Sequence, residues 1–463
     1  MKEKINSFRE QYRKNPAWCW LIFTLLAFPV LPEYLSPFVL FAGFIIFKKY
    51  WSNIKNKALL GDVGKFMFMY TIYMVASGIW SKTHIFSSLV GMLWMGCFLM
   101  YVFLANTVNS NEKLKNAITF INISSGIIGL IAVIEMISFA ISLRTGDIEH
   151  RFPNPFYYNI NGRFFDALPF EVVHKRYASR ASSTFDNPLI LATFLVITSP
   201  FCAFGSTFFV HSRNRKLSRV CWFFSLAGII ATTSRGAYIA AALGIIIFLF
   251  SLTRNRELFR KALPFVVLLS VAVPVGLVVR YKNSSTDFLS SNTNRFDVWH
   301  SCYNIFMDDV KTVFIGLGSG TENIHTLLRD TYLIDRTHAH NLFLELLLEG
   351  GLFGLAIFAY IFMIAVKMLY ELSKHPKKIY TQYTVLYISS LIGFLAISLF
   401  EHTLQSPKEL MTFFMLFGFM EATHRIAFDE AQKTPDSVEE VLEDEYRDSI
   451  DTEKETEKEI ANA

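Results

Sequence analysis

A stretch of apolar residues as long as a bilayer is thick has few ways to fold, and this chain has about a dozen. The stretches centre near residues 18–30, 35–48, 65–80, 84–105, 116–142, 187–210, 219–233, 236–252, 262–280, 342–369, 384–400 and 409–426. A hydrocarbon core of about 30 Å takes about 20 helical residues to cross. Inside it every backbone N–H and C=O must be satisfied by the chain itself, so only helices or closed barrels can span. A barrel needs short strands of alternating polarity, and these blocks are continuous. The expected fold is therefore an all-α polytopic membrane protein with about 12 transmembrane helices. Composition agrees: 18% of the residues are charged, where a soluble domain carries roughly a quarter.

The connections orient the spans. The basic segments FKKYWSNIKNK, HSRNRKLSR, TRNRELFRK and KHPKK all fall on one side if the N-terminus is cytoplasmic, as the positive-inside bias requires. The basic start followed by the apolar block at Trp18–Val30 has the look of a signal peptide, but no small-residue cleavage pattern follows, and it reads as a retained span. Residues 1–426 form the membrane domain. On the opposite, external side lie two long loops, about 143–186 and 281–340, the second partly helical. These loops are rich in arginine, including Arg151, Arg163, Arg180, Arg295, Arg329 and Arg336. An anionic ligand outside the membrane would account for that load.

Residues 427–463 form a separate acidic tail. From Asp429 onward there are 14 acidic and 4 basic residues, although the whole chain is at +5. Few apolar residues and an unbalanced charge predict a disordered cytoplasmic appendix. The five cysteines, Cys19, Cys97, Cys202, Cys221 and Cys302, show no metal-like spacing and read as small apolar fillers.

Three polar constellations break the apolar pattern on the external side. In TTSRGAYIAAALG, Arg235 stands at a tight turn before a helix. It reads either as a phosphate ligand aided by the helix N-terminus or as an interfacial arginine reaching lipid headgroups. In NTNRFDVWHSCYNIFMDDVKTVFIGLGSG, Arg295 and Trp299 are four apart and share a face of an amphipathic helix. The GLGSG that follows lacks the GKS/T ending of a phosphate loop and reads as a turn back toward the bilayer. In THAHNLFLELLLEGGLFG, Asn341 is placed to cap the helix, with His338 and His340 just outside its mouth. A histidine there can accept a proton from a hydroxyl near neutral pH. Glu345 and Glu349 share one helix face inside the membrane, where carboxylates default to a functional or paired role. A metal reading of HAH needs more ligands. His300, His325, Asp330 and Asp335 are in the same loop but at no recognisable ligand spacing.

Together, ASSTFDNPLILATFLVITSP (181–200), TTSRGAYIA (232–240), NRFDVW (294–299), GLGSG (316–320) and THAHNLFLELLLEGGLFG (337–354) resemble the bacterial O-antigen ligase and O-antigen polymerase family of membrane glycosyltransferases. The resemblance implies a GT-C-like fold and a glycan donor on undecaprenyl diphosphate. The acceptor would be a hydroxyl of lipid A–core or of a second lipid-linked glycan. It implies that Arg235 and Arg295, with Arg180 a further candidate, hold the diphosphate. It implies His340 as the group activating the acceptor. His338, Asn341, Glu345, Glu349 and Trp299 are then supporting residues. Neither a metal nor another cofactor is expected, because arginines neutralise the leaving diphosphate, and no nucleic-acid partner is expected. Transfer would proceed with inversion on the periplasmic face of the inner membrane. A transporter of lipid-linked glycan, or a scaffold working through its acidic tail, are the readings from other classes. The first would place its charges near the bilayer midplane, and the second does not use the external arginines and histidine.

Overall fold

A computed structural model describes residues 15–31, 33–46, 60–145, 180–252, 287–334 and 336–432. The apolar block at 262–280, most of the first long loop, Asp335 and residues 433–463 of the acidic tail lie outside the described residues, while 427–432, expected as the start of the disordered tail, continue the last helix. All regular structure among those described is helical: α1 (Pro16–Ala27), α2 (Ser36–Ile46), α3 (Asp62–Ala76), α4 (His84–Thr107), α5 (Asn111–Thr145), α6 (Pro188–Phe208), α7 (Ser212–Ala231), α8 (Arg235–Leu252), α9 (Asp287–Met307), α10 (Val310–Ile315), α11 (Glu322–Tyr332), α12 (Leu342–Ser373), α13 (Lys378–Ser398) and α14 (Pro407–Gln432). Five of these, α4, α5, α6, α12 and α13, are long and apolar enough to cross a membrane, and α1 and α8 are shorter apolar helices. The chain is a multi-pass membrane protein.

Two helices form the axis of the bundle. In α6 every residue from Leu191 to Gly205 is buried, and in α14 burial is continuous from Ser406 to Thr423. A helix covered on all sides belongs at the centre. Outer helices instead leave one apolar face uncovered, such as Leu352, Phe353, Tyr360, Met363 and Val366 of α12 or Ile85, Leu89 and Met92 of α4. Patches of this extent suit lipid and not water. Between apolar faces in lipid, small residues allow close approach. At the crossing of α5 and α7, a Cβ on Gly228 would stand 2.7 Å from the Cα of Gly129.

Helix starts follow local chemistry. Asn187 caps α6 by accepting from Leu189 N at 2.9 Å, with Pro188 in the first turn. Basic HSRNRKLSR, read from sequence as a connection, is mostly the first two turns of α7, which begins at Ser212.

At the end of the bundle where α7 meets α8 the polar segments gather. The buried Lys408 ammonium donates to the carbonyls of Pro29 (3.2 Å) and Thr184, and lies 3.9 Å from Glu33 Oε2. It ties the α1–α2 turn and the 180–187 segment to the head of α14. Here too α9, α10 and α11 form a small cap with its own core of Val298, Cys302, Ile305, Phe306, Ile324 and Leu328, closed by Ala339 and Leu348.

The cap is anchored by a break in α12. Gly351 has φ +62°, a conformation in which only glycine is unstrained. The break deprives the preceding turn of its own hydrogen bonds, and the GLGSG turn supplies them. Leu317 N donates to Leu348 O at 2.8 Å and Gly318 N to Glu349 O at 3.0 Å. Tyr73 Oη reaches Gly350 O at 2.7 Å. The expected return of GLGSG toward the bilayer is thus a backbone-to-backbone splice against α12.

Candidate functional site

Arg180, Arg235, Arg295 and His340 come from four separate segments: Arg295 and His340 meet at one short turn, Leu399–His402, between α13 and α14, the start of α8 that carries Arg235 packs against the same turn through Gly236, and Arg180 is joined to the turn before Arg235. Arg180 Nε donates to Thr232 O at 3.0 Å, and the next residue continues the pairing through Ala181 N and Ala231 O at 3.0 Å. This lays Arg180 along the turn that carries Arg235. Arg235 is the exposed first residue of α8. The residue after it, Gly236, faces the Phe400 side chain, where an added Cβ would stand 3.1 Å from the Phe400 Cβ. From the other side, Arg295 Nη1 donates to Phe400 O at 3.0 Å and Nη2 to Glu401 Oε1 at 2.8 Å.

His340 meets the same carboxylate as Arg295. Its Nδ1 lies 3.1 Å from Glu401 Oε2. An ionised carboxylate only accepts, so the shared proton belongs on Nδ1 and the lone pair on Nε2. Glu401 therefore does two things with two oxygens: it pairs with the Arg295 guanidinium and it sets the tautomer and plane of the His340 ring. Only 7% of its side chain is exposed, so both contacts are made with little solvent screening.

The supporting residues hold the backbone around His340. Asn341 accepts from Phe343 N and Leu344 N at 3.0 and 3.1 Å, the N-cap expected from sequence, and its amide also donates to Leu399 O at 3.0 Å. Trp299 Nε1 donates to Ala339 O at 2.9 Å. Glu345 Oε2 accepts from Ala339 N at 2.7 Å. Glu349 Oε1 accepts from Gly320 N at 2.9 Å. The two glutamates of α12 thus serve backbone donors of the site segments. His340 itself sits at φ +52°, a costly region for a residue with a Cβ. Thr233, two residues before Arg235, and Ser183, three after Arg180, are also left-handed, at φ +51° and +54°. Three of the site's four segments therefore carry a strained residue.

The His338 ring lies tilted beside that of His340, with centroids 4.2 Å apart and planes at 58°, and its Nδ1 is 2.8 Å from the Thr337 hydroxyl. His402 lies beneath, 6.1 Å from His338 centroid to centroid. Burial, followed by the neighbouring His340, pushes both rings down from the usual histidine range, His402 to about 3. Both are neutral near pH 7. One ligand atom each from His338, His340 and Glu401 lie within 4.8 Å of one another. The metal reading of THAH looked for further ligands among His300, His325, Asp330 and Asp335. Those in the described residues are not part of this group, and its third member comes from Glu401.

Glu401 and His402 carried no assigned role in the sequence. The available signal was an acidic residue in a short loop on the same expected face as three arginines.

Known proteins share these segments. Residues 220–359 match the family described as O-antigen ligase. A ComP-specific O-oligosaccharyltransferase from Acinetobacter baylyi is 22% identical over 334 residues, covering 70% of this chain and 54% of the relative. These matches support the O-antigen ligase family. The chain spans about half the length of that relative. The part matched to the O-antigen ligase family holds Arg235, Arg295, Trp299, His338, His340, Asn341, Glu345 and Glu349. Arg180 and Glu401 lie outside it; the fold joins Arg180 to the turn before Arg235 and Glu401 to Arg295 and His340.

Proposed function

We propose that this chain transfers a glycan from undecaprenyl diphosphate to a hydroxyl acceptor, with inversion and without a metal, at the periplasmic face of the inner membrane. The observation that carries the reading is the Arg295–Glu401–His340 array. Glycosyl transfer from a diphosphate needs fixed positive charge where the leaving group gains charge. It also needs a base in line with the incoming hydroxyl. Arg295, with Arg235 and Arg180 from the neighbouring segments, supplies the first. His340 Nε2 supplies the second, with Nδ1 held by Glu401. The acceptor O–H proton passes to Nε2 as the new C–O bond forms, and the anomeric C–O bond to the diphosphate breaks.

Lipid A–core is the favoured acceptor under the O-antigen ligase match. Two other acceptors use the same chemistry. A second lipid-linked repeat unit would make the chain a polymerase. A protein hydroxyl would follow the relative, whose name describes an O-oligosaccharyltransferase specific for ComP. A transporter of lipid-linked glycan is the remaining alternative, and the described charges favour it least, because they converge at one end of the bundle. Glycan ladders from cells lacking the chain separate the acceptors. Full-length polymer accumulating free of lipid A–core is the expected result. Single repeat units on core would overturn ligation in favour of polymerisation. An unchanged lipopolysaccharide with loss of a glycoprotein would overturn it in favour of protein transfer.

A further inference from the structure

His338, His340 and Glu401 hold one ligand atom each within 4.8 Å of the others. Two imidazoles and a carboxylate are a ligand set of the type that binds zinc with a fourth position open. The carboxylate is buried and the imidazoles are partly buried, so the group is not a set of solvated surface side chains. His340 and Glu401 are already in contact at 3.1 Å. The Thr337 hydroxyl occupies His338 Nδ1, which leaves Nε2 of that ring as its ligand atom. Below the group, His402 is buried and its Nδ1 has no hydrogen-bond partner, the nearest carboxylate oxygen, Glu345 Oε1, being 3.8 Å away.

We propose that His338, His340 and Glu401 form a binding site for a zinc-type divalent cation, and that filling it switches the enzyme off. Binding through His340 Nδ1 moves the ring proton from Nδ1 to Nε2 by exchange with solvent and replaces the N–H···O contact to Glu401 with two metal–ligand bonds. Glu401 Oε1 keeps its pairing with Arg295, so the ion would enter without undoing the arginine contact. Nε2 then carries the ring proton and is no longer available to accept the acceptor's proton. Imidazole and carboxylate ligands suit Zn²⁺ and Co²⁺ over Mg²⁺ or Ca²⁺, which prefer all-oxygen sites.

The inhibitory half of this proposal rests on His340 being the base; the binding half does not. The full-length chain, purified in detergent on a tag without histidines and stripped with chelator, is titrated with Zn²⁺ by calorimetry and with Co²⁺ by visible absorption, with no donor present. The expected result is one equivalent bound with the intense absorption of four-coordinate Co²⁺. Both signals should be lost in His338→Gln and Glu401→Gln, each checked for a wild-type gel-filtration profile. No binding by wild type, or one equivalent retained in both variants, overturns the site. In the transfer assay Zn²⁺ should inhibit wild type and chelator should restore it. A filled site with undiminished or increased transfer overturns the switch. A filled site in a protein that transfers no glycan at all would count against the proposed function and leave the site standing.

Discussion

Glu401 stands between two groups that need it for different reasons. To Arg295 it is a counter-charge that a bound diphosphate would have to replace or share. To His340 it is the partner that fixes the tautomer. Replacing it with Gln keeps the shape and removes the charge. Glu401→Gln should lower kcat for glycan transfer by about 10- to 100-fold, the scale on which outer-shell partners act on histidine, with the donor KM changed far less. Steady-state kinetics on the purified variant checks this. His340, Arg235 and Arg295 could be picked out as candidates because each is a charged or titratable group beside an apolar block, which is expensive unless used. Glu401 was not legible as a partner. Its significance is a contact across 61 and 106 residues of sequence, and no local pattern encodes that. Asn341 was legible in full, because capping is a local interaction.

At the scale of elements, hydropathy placed most helices to within a few residues, since burial in lipid or in the bundle and a continuous apolar run are the same property. What it left unresolved was the break inside α12. Three glycines in EGGLFG could serve close packing or a kink, and only the fold separates them. Gly351 is at φ +62°, and its missing Cβ would fall onto the Phe314–Ile315 backbone of the cap. Gly351→Ala should therefore destabilise the protein by about 1–3 kcal/mol or more, seen as a lower thermal midpoint in a fluorescence-detected gel-filtration assay. Gly96→Ala in α4, where nothing lies within 4 Å of the added carbon, should leave the midpoint unchanged. Equal midpoints for the two variants would remove the splice from the account.

For the whole molecule, the proposed orientation puts the α9–α11 cap outside and the start of α7 inside. Four of the five cysteines are buried and Cys19 is partly so, which makes labelling practicable in a Cys19→Ser background. A cysteine replacing the exposed Asp308 should react with a membrane-impermeant maleimide on intact spheroplasts. One replacing the exposed Lys216 should react only after permeabilisation. The reverse pattern would invert the topology and remove the site from the periplasm. Above topology stands the chemistry, and the most direct measurement of it is transfer by the purified chain from an undecaprenyl-diphosphate-linked glycan to a hydroxyl acceptor in detergent, comparing wild type with His340→Ala. The account predicts that wild type transfers without a second compartment and that His340→Ala loses about 10²- to 10⁴-fold in kcat, the contribution of a positioned base, while still binding donor. A His340→Ala protein that transfers at the wild-type rate would contradict it.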